Sequence, residues 1–189
     1  TVLLTHTKDS PASAPLRPED VYVFPKRPEP YTYNTSTYFG LVAAHERTNG
    51  ASVAQFLDAL HDSVGDVAAS AYTLVVPSEY ALAVPMVQTK FDELFGRSLA
   101  ARVYSEEELK HAKTIVPGDN ECTILFGDAD DRIVTGRKVR VPLMAASYLG
   151  ALAVMYTVVG MIQATQPPLF ESNIESYTKR ASDVFGTTI

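Results

Sequence analysis

The sequence predicts an α/β protein: three αβα layers with mostly parallel sheets, arranged as two similar lobes of which the first is incomplete at its N-terminus. Three observations carry that expectation. Short β-branched and aromatic runs, Val21–Phe24 and Tyr72–Val76 among them, alternate with stretches of helical spacing, the pattern of βα units. At 189 residues, 46% apolar, the chain suits one ordinary domain or two small lobes. The strand–helix rhythm also runs twice, over 1–66 and again over 67–189, without a strict sequence repeat.

The elements follow in order. Val2-Leu3-Leu4-Thr5-His6 reads as a strand, and the turn-rich stretch from Lys8 to Asp20 holds three prolines. Val21–Phe24 reads as a second strand, and Pro25, Pro28 and Pro30 forbid a helix after it. The hydroxyl-rich run Tyr31–Thr37 leads into a helix with Thr35 or Ser36 as N-cap, expected to last to about Thr48 and stop at Asn49-Gly50. Ser52 to Ser63 places Val53, Phe56, Leu57 and Leu60 at helical spacing. In the second half the reading is a strand at Tyr72–Val76, a helix from Glu79 to Phe95 with Pro85 near its first turns, and a strand at Leu99–Tyr104. A short helix or turn at Ser105–His111 and strands at Cys122–Phe126 and Arg137–Val141 follow. A polar helix from about Phe170 to Phe185 ends the chain.

From Val141 to Phe170 there is no charged residue. A helix apolar all round is either a membrane span or buried on every side. Its many Ala and Gly residues, with Ser147, Tyr148, Tyr156 and Thr157, favour burial. That helix needs more cover than one small lobe supplies, so a homodimer is expected.

Composition narrows function. Sixteen Lys plus Arg against 22 Asp plus Glu give a net charge of −6 with no long basic run, which argues against broad binding to nucleic acid or an anionic membrane. One cysteine, Cys122, builds neither an internal disulfide nor a Cys-rich zinc site, and a reducing cytoplasmic home is expected. No Walker loop, dinucleotide glycine fingerprint or nucleophile elbow is present. The Thr-Val-Leu-Leu-Thr opening lacks the form of a signal peptide and reads like the inside of a strand, as in a fragment.

The candidate chemistry lies where strands end and helices begin. Thr32, Asn34, Thr35, Ser36 and Thr37 offer neutral donors and acceptors suited to a polyhydroxylated or phosphorylated ligand, or serve as helix caps alone. Ser105 and Glu108 form a capping box, which leaves His111 at the end of a short turn with an imidazole suited to proton transfer or simply exposed. Asp128, Asp130 and Asp131 read as a solvated acidic turn before a Mg²⁺ site. Glu93, taken alone, is a solvated helix carboxylate, and Cys122 is a core residue.

Together these pieces resemble the sugar isomerase (SIS) domain family. Val2–Thr5 followed by Ser10-Pro11 resembles its strand-Thr then Ser-Pro pattern. Glu29 and Thr32–Phe39 resemble its Ser-Thr-Lys helix start, with Ser36 where lysine is common. Ser78 to Glu93 is similar to the second-lobe helix that ends in a catalytic glutamate, and Glu108-Leu109-Lys110-His111 to the family's Gly-Glu-Leu-Lys-His-Gly. The resemblance implies a SIS or flavodoxin-like fold and aldose–ketose isomerisation, or deglycation, of a phosphorylated sugar through an enediol. Glu93 would move the proton, His111 would open the ring, often in a neighbouring subunit's site, and Lys179 would balance negative charge. Thr32, Asn34, Thr35, Ser36 and Ser78 would bind substrate. No metal or organic cofactor, nucleic acid or membrane is implied. The family's Ser-x-Ser-Gly-x-Thr phosphate loop would lie upstream of Thr1, which suits the later part of a two-lobed protein. Glu107 and Ala112 stand where the family has glycine, which motivates the alternative, a non-catalytic phosphosugar-binding or sensing SIS module.

Overall fold

The computed structural model describes residues 3–5, 7–24, 35–111, 113–114, 116, 118–132, 134–144 and 147–186. The chain divides into two compact units, one ending at Ala44 and the other beginning at His45.

In the first unit, strands β1 (Leu3–Thr5) and β2 (Val21–Val23) pair in parallel, Leu3 opposite Val21 and Thr5 opposite Val23. Single 3₁₀ turns at Pro11–Ser13 and Pro18–Asp20 link them, each with proline at its start, where a missing N–H costs nothing. Helix α1 spans Thr35–Glu46, and the expected cap at Thr35 or Ser36 falls on side chains outside the described residues. It ends two residues before the expected Thr48 because Arg47 turns into the left-handed region (φ 56°). Asn49, already in the second unit, does not stop α1; it caps that unit's first full helix, α2 (Gly50–Ser63), its side chain accepting the Ala51 N–H at 3.0 Å.

The second unit is a four-stranded, wholly parallel sheet of β3 (Ala71–Val76), β4 (Ala100–Ser105), β5 (Glu121–Phe126) and β6 (Arg137–Val141), in the order β4-β3-β5-β6. Alternation along β3 and β5 splits their side chains between two faces. Tyr72, Leu74 and Val76, with Cys122, Ile124 and Phe126, form one face, and the Tyr72 ring lies 5.9 Å from Phe91 of α3 (Val84–Phe95). Burial pushes the Cys122 thiol up, as a core cysteine requires. On the other face Val75 and Leu125 pack with Leu109 of α4 (Glu106–Lys110), Ala129, Val134 and Tyr104. Helices on both faces complete the three αβα layers, with the five-residue α4 the thinner cover.

One expected helix is two elements. Pro85 has no N–H and its ring opposes the carbonyl four residues back, so an α-helix cannot run through from Glu79. A 3₁₀ turn covers Ser78–Ala83, broken at Tyr80 (φ −105°, ψ 15°), and α3 starts afresh with Pro85 in its first turn.

The uncharged stretch forms α5 (Tyr148–Ala164), and α6 (Leu169–Phe185) follows. Ten of the seventeen α5 residues are buried, and α2 and α3 pack against the helix. Each such Val, Leu, Ile or Met contributes roughly 1.5–3 kcal/mol. The chain itself therefore supplies most of the cover that was expected from a second subunit. Among the described residues no single helix is long and apolar enough to cross a membrane.

Candidate functional site

From β3 the chain moves to β4 on one side, and then to β5 on the other. The order reverses between β3 and β5. At such a reversal the loops diverge and leave a crevice outside the carboxyl ends of the strands. A cavity of about 590 Å³ lies at these ends, lined by Glu79, Tyr80, Gly127, Asp128, Arg140 and Leu143 among others. That volume falls within the range of small-molecule sites.

Local chemistry shapes its walls. Gly127 follows β5 with φ 54°, and a Cβ there would stand 3.3 Å from Leu143 Cδ1. Its N–H donates to the Val141 carbonyl at 2.8 Å, which ties the β5 and β6 ends together. Arg140 directs Nη1 to the carbonyls of Gly127 (2.7 Å) and Ala129 (3.0 Å), with Nη2 3.5 Å from Asp131. The guanidinium thus stiffens the β5 loop, and it is a fork of five N–H donors in all.

Glu106, at the start of α4, joins the loops after β3 and β5. One carboxylate oxygen accepts the Ser78 N–H (3.1 Å) and hydroxyl (3.3 Å), and the other accepts the Asp130 N–H (2.6 Å). Hydrogen bonds from the Arg132 guanidinium and backbone hold the Asp130 carboxyl well below the usual carboxylate range. Asp131 pairs with Lys138 at 3.4 Å. The acidic turn is thus largely engaged by its own cations, and among the described residues no cluster of three or more His, Cys, Asp or Glu is arranged to hold a metal.

On the remaining wall the Tyr80 ring packs at a tilt against Tyr148, the first residue of α5 (centroids 5.8 Å, 54°). Burial pushes the Tyr80 hydroxyl up, and the Glu79 and Glu46 carboxylates push it further.

The expected site residues do not converge. Thr32 and Asn34 lie outside the described residues, as do the side chains of Thr35 and Ser36 in α1. Ser78 lies between the lining residues Pro77 and Glu79 but is not itself on the cavity wall, and its N–H and hydroxyl are taken up by Glu106. Glu93 is carried away from the cleft: α3 must return the chain from the carboxyl end of β3 to the amino end of β4, and Glu93 lies nine residues down it, about 14 Å along its axis. There it pairs with Lys90 at 2.9 Å, and Lys90 sits 5.7 Å from the Tyr156 ring of α5. His111 is exposed at the end of α4, on the opposite face of the sheet from α3. Lys179 is on the exposed side of α6.

Arg140, Tyr80, Glu106 and Glu46 escaped the sequence reading. Glu106 binds groups 28 and 24 residues away, which no local period encodes. The strand order, once known, points to Tyr80 and Arg140.

No protein-family model and no curated protein sequence matches the chain. Among solved structures it is similar to the C-terminal domain of glucosamine-fructose-6-phosphate aminotransferase from Francisella tularensis, with a TM-score of 0.37 and 12% identity over 70% of this chain. The match covers 44% of that structure, so the chain spans less than half of its length.

Proposed function

We propose that this chain is a phosphosugar-binding module of the SIS type, with the cleft beyond β3, β5 and β6 as its ligand site. The observation that supports this reading is the cavity at the point where strand order reverses, with an aromatic ring, an arginine and two carboxylates on its walls. Tyr80 offers a face for the sugar ring, Glu79 and Asp128 accept from its hydroxyls, and Arg140 donates to a hydroxyl or phosphate oxygen. Substrate contacts from Thr32, Asn34, Thr35, Ser36 and Ser78 belong to the same proposal. So do two lobes at 1–66 and 67–189, a cytoplasmic location, and the lack of a cofactor, a nucleic-acid partner or a membrane.

Turnover is the second reading, and one observation favours it. The Glu93 side chain is only 18% exposed, and a partly desolvated carboxylate suits proton transfer to and from carbon. Because Glu93 and His111 lie on opposite faces of the sheet, they would have to meet across two chains of a homodimer, with Lys179 balancing charge. Calorimetry with glucose 6-phosphate, fructose 6-phosphate and glucosamine 6-phosphate, beside an isomerase assay and light scattering, separates the readings. Binding without turnover supports the module. Turnover by a dimer supports the isomerase, and no heat with any of the three overturns the cleft as a phosphosugar site.

A further inference from the structure

We infer that Glu46 is a positioning residue that sets the aromatic wall of the cleft through Tyr148 and Tyr80. This rests on the cleft being the ligand site.

Its carboxylate gathers four donors. Oε1 accepts the Tyr148 N–H at 2.7 Å, and Oε2 accepts the Leu149 N–H, the Ser147 hydroxyl and the Thr48 hydroxyl, each at 3.1 Å. Burial alone raises this carboxyl's pKa, but the bonds from Leu149, Tyr148, Ser147 and Thr48 more than offset that and lower it, so the group is charged at neutral pH. A negative charge beside the first amides of a seventeen-residue helix is also favoured by the helix dipole.

Capping alone would not need it, because Ser147 already caps α5 by accepting the Gly150 N–H at 2.9 Å. What Glu46 adds is fixation of Tyr148, whose N–H it holds and whose ring backs Tyr80. Tyr80 sits at the break in the 3₁₀ turn, where its N–H still donates to the Pro77 carbonyl at 2.9 Å, so its backbone is tied while its ring takes its support from Tyr148. The left-handed turn at Arg47 (φ 56°) follows Glu46 directly, so the carboxylate leaves from the last residue of α1. The relay therefore runs from the end of α1, through one carboxylate and two rings, to the ligand face.

The test separates position from stability. The near-UV circular dichroism of wild type minus Tyr80→Phe isolates the Tyr80 signal, and the same difference is measured on Glu46→Gln and Ser147→Ala backgrounds. Glu46→Gln should lose at least half of that signal and bind fructose 6-phosphate about tenfold more weakly, the size of one lost polar interaction. Ser147→Ala should lower Tm while keeping the signal, and Glu46→Asp should restore part of both. Tyr148→Leu, which keeps the N–H but removes the ring, should lose the signal without disturbing Glu46. An unchanged Tyr80 signal in either Glu46→Gln or Tyr148→Leu overturns the relay. Failure of wild type to bind fructose 6-phosphate would count against the cleft reading, and the dichroism would still decide the relay.

Discussion

A single oxygen of Glu106 holds both the backbone N–H and the hydroxyl of Ser78, at 3.1 and 3.3 Å, while its other oxygen holds the Asp130 N–H at 2.6 Å. One side chain on α4 thus clamps the loops on either side of the point where strand order reverses. Glu106→Ala frees two amides and a hydroxyl that solvent can reach in part. The loss should be about 1.5–3 kcal/mol, the value of a hydrogen bond to a charged group. Hydrogen exchange reads the local effect: the Ser78 and Asp130 amides should exchange faster while Leu74 and Ile124 in the strands stay protected. Uniform acceleration across the sheet would mean that Glu106 acts on global stability instead.

Gly127 offers a backbone test. Its φ of 54° puts an L-residue in the left-handed region, and a Cβ would press on Leu143 at 3.3 Å with Pro77 behind it at 3.6 Å. Gly127→Ala should cost about 1–2 kcal/mol, the price of that region for a side-chain-bearing residue. Gly127→Asn should cost less, because asparagine tolerates the same region. Denaturant midpoints check the order, and equal midpoints for the two variants would show that crowding against Leu143 dominates.

The sequence made the periodic parts legible. Parallel β3 through β6, the Ser105 box and a buried α5 follow from β-branched runs, a Ser-x-x-Glu spacing and an uncharged stretch rich in small residues. What stayed hidden depended on geometry that no window contains. Pro85 splitting a helix was readable in principle, since the ring acts on the carbonyl four residues back. Arg47 in the left-handed region was not, because arginine carries no such preference. Glu93 and His111 look like partners along the chain, yet the sheet lies between them. Tyr80 and Arg140 become neighbours of one cavity only after the strand order is fixed.

The capping box carries a pH dependence. The Ser105 backbone N–H (2.8 Å) and hydroxyl (2.9 Å) both donate to Glu108 and lower its pKa from the usual 4.5. A lowered carboxylate stabilises the fold above the unfolded value, and that contribution disappears as pH falls through the folded value. Ser105→Ala should therefore cost about 1 kcal/mol at pH 7. The gap from wild type should narrow once pH drops well below 4.5. Thermal melts at pH 7 and pH 3 check it, and a gap that widens in acid would reverse the sign.

Glu93 forms with Lys90 an ion pair that is among the least exposed in the second unit, at 18% and 15% side-chain exposure. Glu93→Gln leaves the Lys90 ammonium facing an amide beside the Tyr156 ring. The stability cost should be about 1–2 kcal/mol, above that of a surface pair because both partners are partly desolvated. The chemical consequence divides the two functional readings. Fructose 6-phosphate in D₂O is followed by NMR for exchange of its C1 proton with solvent. A binding module gives no exchange with wild type or variant, so Glu93→Gln changes Tm alone. If wild type exchanges the proton and Glu93→Gln does not, while still binding the sugar, the carboxylate is a base and the module reading fails. Exchange that persists in Glu93→Gln would also defeat the module reading, and would move the base to another group, with Glu79 and Asp128 the carboxylates already on the cleft wall.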